Sequence, residues 1–179
     1  MESMASIARQ PQMLVVVATA IAAAVTDART RRIPNLLVAS AAVMGLLLNA
    51  WLGGPAGLLR SALGLLVGFG VFLPFYLVRG MGGGDVKLMA ALGACLGALA
   101  ILQTALVASF VGAVYSLVVA MRHGLLRRTL RGVGRLLGGW LRHGPRTNEE
   151  LSLDNPSALK IPYALPIAAG ALFIVFSAS

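Results

Sequence analysis

Residues 88–121 read LMAALGACLGALAILQTALVASFVGAVYSLVVAM and contain no charged side chain. As one helix rising 1.5 Å per residue, this stretch would be about 51 Å long, well beyond the ~30 Å hydrocarbon core of a bilayer. It is therefore expected to form two helices, residues 88–102 and 104–121, turning near Gln103 and Thr104. Further apolar runs at residues 11–26, 36–52, 61–78 and 161–178 bring the number of expected transmembrane helices to six. The expected fold is an all-α polytopic membrane protein, with residues 1–179 forming one membrane-embedded domain.

Composition agrees with this reading. Of the 179 residues, 58% are hydrophobic and only 12% are charged. Counting Gly as apolar and leaving out Tyr gives roughly 68%, against about 45–50% in soluble domains. A soluble globule, a disordered chain and a collagen-like fibre are excluded, and a net charge of +9 with so few charged residues does not describe a nucleic-acid-binding arm. The single cysteine, Cys95, lies within an apolar run and reads as a small buried hydrophobe. One cysteine permits neither an intrachain disulfide nor a Cys-x-x-Cys zinc site. His123 and His143, both in an arginine-rich stretch, are too few for a His-based centre, so neither metal nor cofactor is expected.

Charge placement sets the orientation. The run from Met13 to Val25 resembles a signal sequence in its apolarity, but Glu2 and Arg9 cancel before it, whereas Arg29, Arg31 and Arg32 follow it. That is the polarity of a retained helix whose C-terminal end faces the cytoplasm. Carried through six spans, this orientation puts 13 of the 15 Lys and Arg on the cytoplasmic side, with only Arg9 and Arg60 opposite and both termini outside the cytoplasm.

The long polar segment at residues 122–160 is the expected cytoplasmic loop. At 100° per residue, Leu126, Leu130, Val133, Leu137, Trp140 and Leu141 share one face, and Arg127, Arg128, Arg131, Arg135 and Arg142 share the other. That pattern predicts a basic amphipathic helix lying in the membrane interface, with anionic lipid rather than nucleic acid as its partner.

Carboxylates inside such a framework are costly, which makes the few that exist informative. Of the three aspartates, Asp27 and Asp85 stand at the cytoplasmic boundaries of expected spans. Asp154, in Leu153-Asp154-Asn155-Pro156, reads as a turn, and Glu149 and Glu150 read as hydrated partners of the basic loop. The bland alternative for Asp27 and Asp85 is an interfacial cap or an ion pair with Arg29 and Lys87. Their surroundings favour a site. Asp85 follows Gly80-Met81-Gly82-Gly83-Gly84, where backbone can approach another chain closely and φ can turn positive. Downstream of Asp27, Pro34 fixes an extended entry and Asn35 is placed to cap the second span.

These motifs resemble those of the type IV prepilin peptidases, a family of membrane aspartic proteases with an Asp upstream of Ile-Pro-Asn and a Gly-x-Gly-Asp-x-Lys box. The first corresponds to Asp27 with Ile33-Pro34-Asn35, the second to Gly82, Gly84, Asp85 and Lys87. Lys160-Ile161-Pro162-Tyr163, followed by Gly170, looks like the family's last span. The chain is most similar to the short forms associated with tight-adherence (Flp-type) pili. The larger members carry paired Cys-x-x-Cys motifs in a cytoplasmic domain linked to N-methylation, and no such insertion lies between the first two spans here. The resemblance thus implies a peptidase of the bacterial inner membrane, with Asp27 and Asp85 catalytic, that removes prepilin leaders after a Gly at the cytoplasmic face without methyl transfer.

The side chains specify the chemistry this implies. Two adjacent carboxylates share one proton, so the ionised member activates a water and the protonated member hydrogen-bonds the scissile carbonyl. No serine has a histidine placed to act as its base. Two other readings stand beside the prepilin peptidase: a presenilin-like or preflagellin protease with the same Gly-x-Gly-Asp box, and a non-enzymatic assembly subunit or small transporter that uses the membrane aspartates. A presenilin relative would carry tyrosine beside the first aspartate, where Thr26 stands. Gly64, Gly68, Gly93 and Gly97 are expected to serve close helix packing.

Overall fold

The computed structural model describes residues 2–122, 124 and 162–177, with side chains from residue 11 onward. Among the described residues five helices follow one another: α1 (Glu2–Thr30), α2 (Asn35–Leu77), α3 (Gly83–Leu96), α4 (Ala98–Arg122) and α5 (Ala164–Ser177). Three of them hold segments long and apolar enough to cross a membrane, Pro11–Thr30, Asn35–Leu77 and Ala98–Arg122. That is half the number expected from the apolar runs, for two physical reasons. Two runs are merged in α2, and α3 and α5 have only 14 residues each, a rise of about 21 Å. The expected basic amphipathic helix and the polar residues of the 122–160 loop lie outside the described residues, apart from Arg122 and Gly124.

Although α2 runs for 43 residues, it is not straight. Gly54 adopts φ 57° and ψ −144°, a left-handed conformation that only glycine takes without strain, and Pro55 starts the next turn without needing an N–H partner. The chain reverses here, giving arms 35–53 and 55–77. Asn49 Nδ2 on the first arm and Ser61 Oγ on the second both donate to the Ala94 carbonyl of α3, at 3.0 and 2.6 Å. Along the first arm, Asn35 meets Lys87 and Gly45 meets Ala94 and Cys95, so it runs parallel to α3. The second arm opposes Gly64 to Gly93 and Gly68 to Met89, and so runs antiparallel. A Cβ at Gly64 would collide with the Gly93 carbonyl, and one at Gly93 with the Gly64 carbonyl, so the expected close packing holds for Gly64, Gly68 and Gly93.

The second reversal lies elsewhere than expected. Gln103 and Thr104 are inside α4, and the break comes at Gly97, with φ 86° and ψ 172°. Gly97 therefore turns the chain and also packs closely as expected, its Cα only 2.7 Å from where a Cβ at Gly64 would stand. A turn at Gln103 and Thr104 would strand backbone polar groups in the apolar zone, whereas the carbonyls at the end of α3 all find donors. Gly97 N–H bonds to the Gly93 carbonyl at 2.8 Å, and Asn49 and Ser61 hold the Ala94 carbonyl. Asn49 also reaches the Cys95 carbonyl at 3.4 Å, and the Arg60 guanidinium the Leu96 carbonyl at 3.3 Å. Arg60, one of the two basic residues expected on the far side of the membrane, thus sits at the negative end of the α3 dipole.

Ten of the fourteen residues of α3 are buried, which makes it the central helix. Around it stand α1, both arms of α2, α4 and α5, in contact as α1–α2, α2–α4, α4–α5 and α5–α1. Gly170 faces Thr104 and Ala108, and Gly112 faces Tyr163, so α4 and α5 are antiparallel. The core is built from Val16, Phe72, Leu88, Met89, Leu92, Ile101 and Ile167, all essentially without exposure. Leu14, Leu36, Leu47, Trp51, Leu99, Leu106 and Phe110 point outward and are well exposed, the inside-out profile of a helix bundle meant for lipid.

Candidate active site

One end of the bundle gathers the end of α1, both ends of α2 and the starts of α3 and α5. Asp27 lies in the last turns of α1, where its carbonyl accepts the Arg31 N–H at 2.8 Å. Asp85 lies in the first turn of α3. Each is only 8% exposed, and the two are close enough that Asp85 feels the charge of Asp27. The Gly82 backbone hydrogen-bonds to Asp85, and a Cβ at Gly82 would stand 3.2 Å from Asp85 Oδ2. Two aspartates 58 positions apart in the chain therefore form one buried acidic pair.

The third wall comes from α5. The Ala164 N–H donates to Asp27 Oδ2 at 3.3 Å, a bond across 137 positions that uses one of the free donors at the start of that helix. The neighbouring Tyr163 phenol lies in the field of Asp85. Its ring stands edge-on to Phe72 at 6.2 Å, and Phe72 is in turn edge-on to Phe75 at 6.3 Å. The Tyr163 hydroxyl fits over Gly112, where a Cβ would stand 2.7 Å from it. Sequence reasoning did not place Tyr163, Ala164 or Gly112 in the site. The Lys160-to-Tyr163 string carried only a family resemblance, and a glycine in the middle of an apolar helix gives no signal of what it faces.

Other expectations are corrected by the geometry. The Gly80-to-Gly84 run takes no positive φ; Gly82 is extended at φ −72° and ψ 142°, and Gly83 and Gly84 are already helical. What these glycines supply is the absence of a side chain, because a Cβ at Gly83 would meet the Tyr76 ring at 3.2 Å and one at Gly84 would meet Ile33 at 3.4 Å. The positive φ values flanking the site belong to Arg31 (53°) and Arg79 (59°), which occupy the left-handed positions ending α1 and α2. Pro34 is extended as expected, at φ −61° and ψ 128°. Asn35 does not cap α2: Pro34 holds the cap position, and the Asn35 side chain turns outward to accept a bond from Lys87 Nζ at 3.2 Å. Lys87 thus engages Asn35. Glu149, Glu150 and Asp154 lie outside the described residues.

Residues 14–117, more than half of the chain, match the type IV leader peptidase family. The chain belongs to this family. The matched region contains both aspartates, the Ile33-Pro34-Asn35 string and the glycine box. Among curated proteins it is similar to prepilin leader peptidase/N-methyltransferases of Burkholderia pseudomallei strains 1026b and K96243. Each is 37% identical over 113 residues, covering 59% of this chain and 36% of the relative. The match thus spans about a third of the length of those leader peptidases. No solved structure matches the chain.

Proposed function

We propose that this chain is a prepilin leader peptidase of the bacterial inner membrane, an aspartic endopeptidase that hydrolyses the bond after the leader Gly of prepilin-like membrane substrates. The observation that carries this reading is the meeting of Asp27 and Asp85, buried and electrostatically coupled, at one end of a lipid-adapted bundle. Two carboxylates so placed can divide the acid and base roles of peptide hydrolysis between them. The ionised member takes a proton from water as it attacks the scissile carbonyl, while the protonated member hydrogen-bonds the carbonyl oxygen. Return of a proton to the amine leaving group completes hydrolysis without a covalent intermediate, and water is the only co-reactant.

Six helical segments that alternate in direction, counting the two arms of α2 separately, support six crossings with both termini outside the cytoplasm. The acidic pair then lies at the cytoplasmic face, level with the junction between a prepilin leader and its apolar helix. The clustering of Arg29, Arg31, Arg32, Arg79, Lys87 and Arg122 near helix ends on that side supports the same orientation. Only residues 31–34 separate α1 from α2, which leaves no room there for a domain bearing paired Cys-x-x-Cys motifs and supports cleavage without N-methylation, as in the short peptidases of Flp-type pili. The basic 122–160 segment is assigned to anionic lipid.

The test is co-expression in membranes with a small pilin precursor, following leader removal by mass. Wild type should release the leader, and Asp27→Asn and Asp85→Asn should each lower cleavage by three or more orders of magnitude, on the order of what removing a catalytic group costs. Undiminished cleavage in either variant refutes the two-aspartate mechanism.

A further inference from the structure

At the end of the bundle away from the aspartates, one buried amide holds three segments together. Asn49, 6% exposed, donates through Nδ2 to the carbonyls of Gly45 at 2.9 Å, Ala94 at 3.0 Å and Cys95 at 3.4 Å. Its Oδ1 accepts from Gln12 Nε2 of α1 at 3.1 Å. Asn49 therefore joins α1, which carries Asp27, to α3, which carries Asp85. Apolar helix faces surrounded by lipid have no hydrophobic force holding them at one relative height, so close packing and polar bonds between helices fix it. Sliding by one residue moves a helix 1.5 Å along its axis, enough to misalign a reacting pair.

We propose that Asn49 is a remote positioning residue that sets the register of α1 against α3, and with it the depth at which Asp27 meets Asp85. The proposal rests on the two-aspartate reading above. Glycine packing between α2 and α3 already fixes that pair sterically through Gly64, Gly68 and Gly93. The link from Asn49 to Gln12 extends that fixed frame to α1. Ser61 also holds the Ala94 carbonyl but makes no bond to α1, so it braces α3 without setting the register.

The experiment measures kcat, KM and the pH dependence of leader cleavage for Asn49→Leu, Gln12→Leu and Ser61→Ala in membranes, with folding followed by thermal unfolding. Asn49→Leu is expected to lower kcat about tenfold with KM little changed, as for a catalytic pair displaced by a fraction of a residue. Because two carboxylates couple less as they separate, the acid and alkaline limbs of its pH–rate profile should also move closer together. Gln12→Leu should shift the limbs in the same sense by a smaller amount, and it serves alone should Asn49→Leu fail to fold. Ser61→Ala should keep the wild-type profile. A purely structural role reduces the active fraction and scales the rate equally at every pH, so an unchanged profile in folded Asn49→Leu and Gln12→Leu overturns the proposal. If those profiles are unchanged while Asp27→Asn and Asp85→Asn are inactive, the register proposal fails and the two-aspartate reading stands. Cleavage surviving the aspartate substitutions removes both.

Discussion

Lys87 Nζ lies 3.2 Å from Asn35 Oδ1, across 52 positions of sequence, and this bond ties the last residue of the Gly-x-Gly-Asp-x-Lys box to the last residue of Ile-Pro-Asn. Ile33 touches the place where a Gly84 side chain would be, so the two motifs meet a second time on the same side. Neither contact involves a carboxylate. Together they hold the start of α3 against the start of α2 and free Asp85 from pairing with its own neighbouring lysine.

The first prediction follows from that bond. Lys87→Met and Asn35→Leu should each lower leader cleavage several-fold, while the double variant should be no worse than the more damaged single one. The bond is exposed, so its coupling free energy in the double-mutant cycle should be about 1 kcal/mol or less. Strict additivity of the two effects would show that the residues act separately.

Much of this was legible in the chain because the constraints were local. A charge-free stretch of residues 88–121 must break somewhere, and membrane carboxylates at Asp27 and Asp85 must be compensated or used; both inferences need only lengths and solvation costs. The position of the break was not legible. Gln103 and Thr104 are the polar pair in that stretch, yet their backbone groups stay within α4, and Thr104 Oγ1 simply bonds back to the Ala100 carbonyl at 2.9 Å. Gly97 won because its carbonyl neighbours could be satisfied from Asn49, Ser61 and Arg60, all on another helix. Likewise, Asn35 has the composition of a cap and the job of a tether, because Lys87, a partner invisible in the local sequence, claims its side chain.

Close packing of α2 on α3 yields a second prediction. Gly64→Ala and Gly93→Ala each place a methyl group into the opposing glycine's carbonyl, a backbone atom that cannot swing away. Each should destabilise the protein by about 1–3 kcal/mol, as overpacking does, and lower the unfolding temperature in detergent. Gly70→Ala, with nothing within 4 Å of the new methyl, should be neutral or stabilising by up to about 1 kcal/mol through helix propensity. Equal effects at all three positions would contradict the packing argument.

The hinge makes a third. At Gly97 an L side chain is strained by φ 86° wherever it points, and its Cβ would stand 2.8 Å from Arg60 Nε. The arginine end is flexible, so the backbone term dominates, and Gly97→Ala should cost about 1–3 kcal/mol. Combining it with Arg60→Ala should relieve only the small steric part and should also expose the loss of the bond to the Leu96 carbonyl. Full recovery of stability in the double variant would place the strain in the side-chain contact and not in the backbone.

The contact between Tyr163 and Gly112 allows the phenol oxygen, which lies in the field of Asp85, to be tested separately from the ring that carries it. Tyr163→Phe keeps the edge-on contact with Phe72 and removes only the hydroxyl that lies over Gly112 in the field of Asp85. Stability should change by less than about 1 kcal/mol, whereas leader cleavage should fall several-fold if that oxygen belongs to the site. Gly112→Ala puts a methyl 2.7 Å from the hydroxyl and 2.9 Å from Cζ, which must push the ring out of its seat. Its damage should therefore be smaller in the Tyr163→Phe background than in wild type, because one of the two clashes is gone. Damage that is identical in both backgrounds would mean that Gly112 serves the packing of α4 and α5 alone, and that the hydroxyl of Tyr163 is not what its missing side chain accommodates.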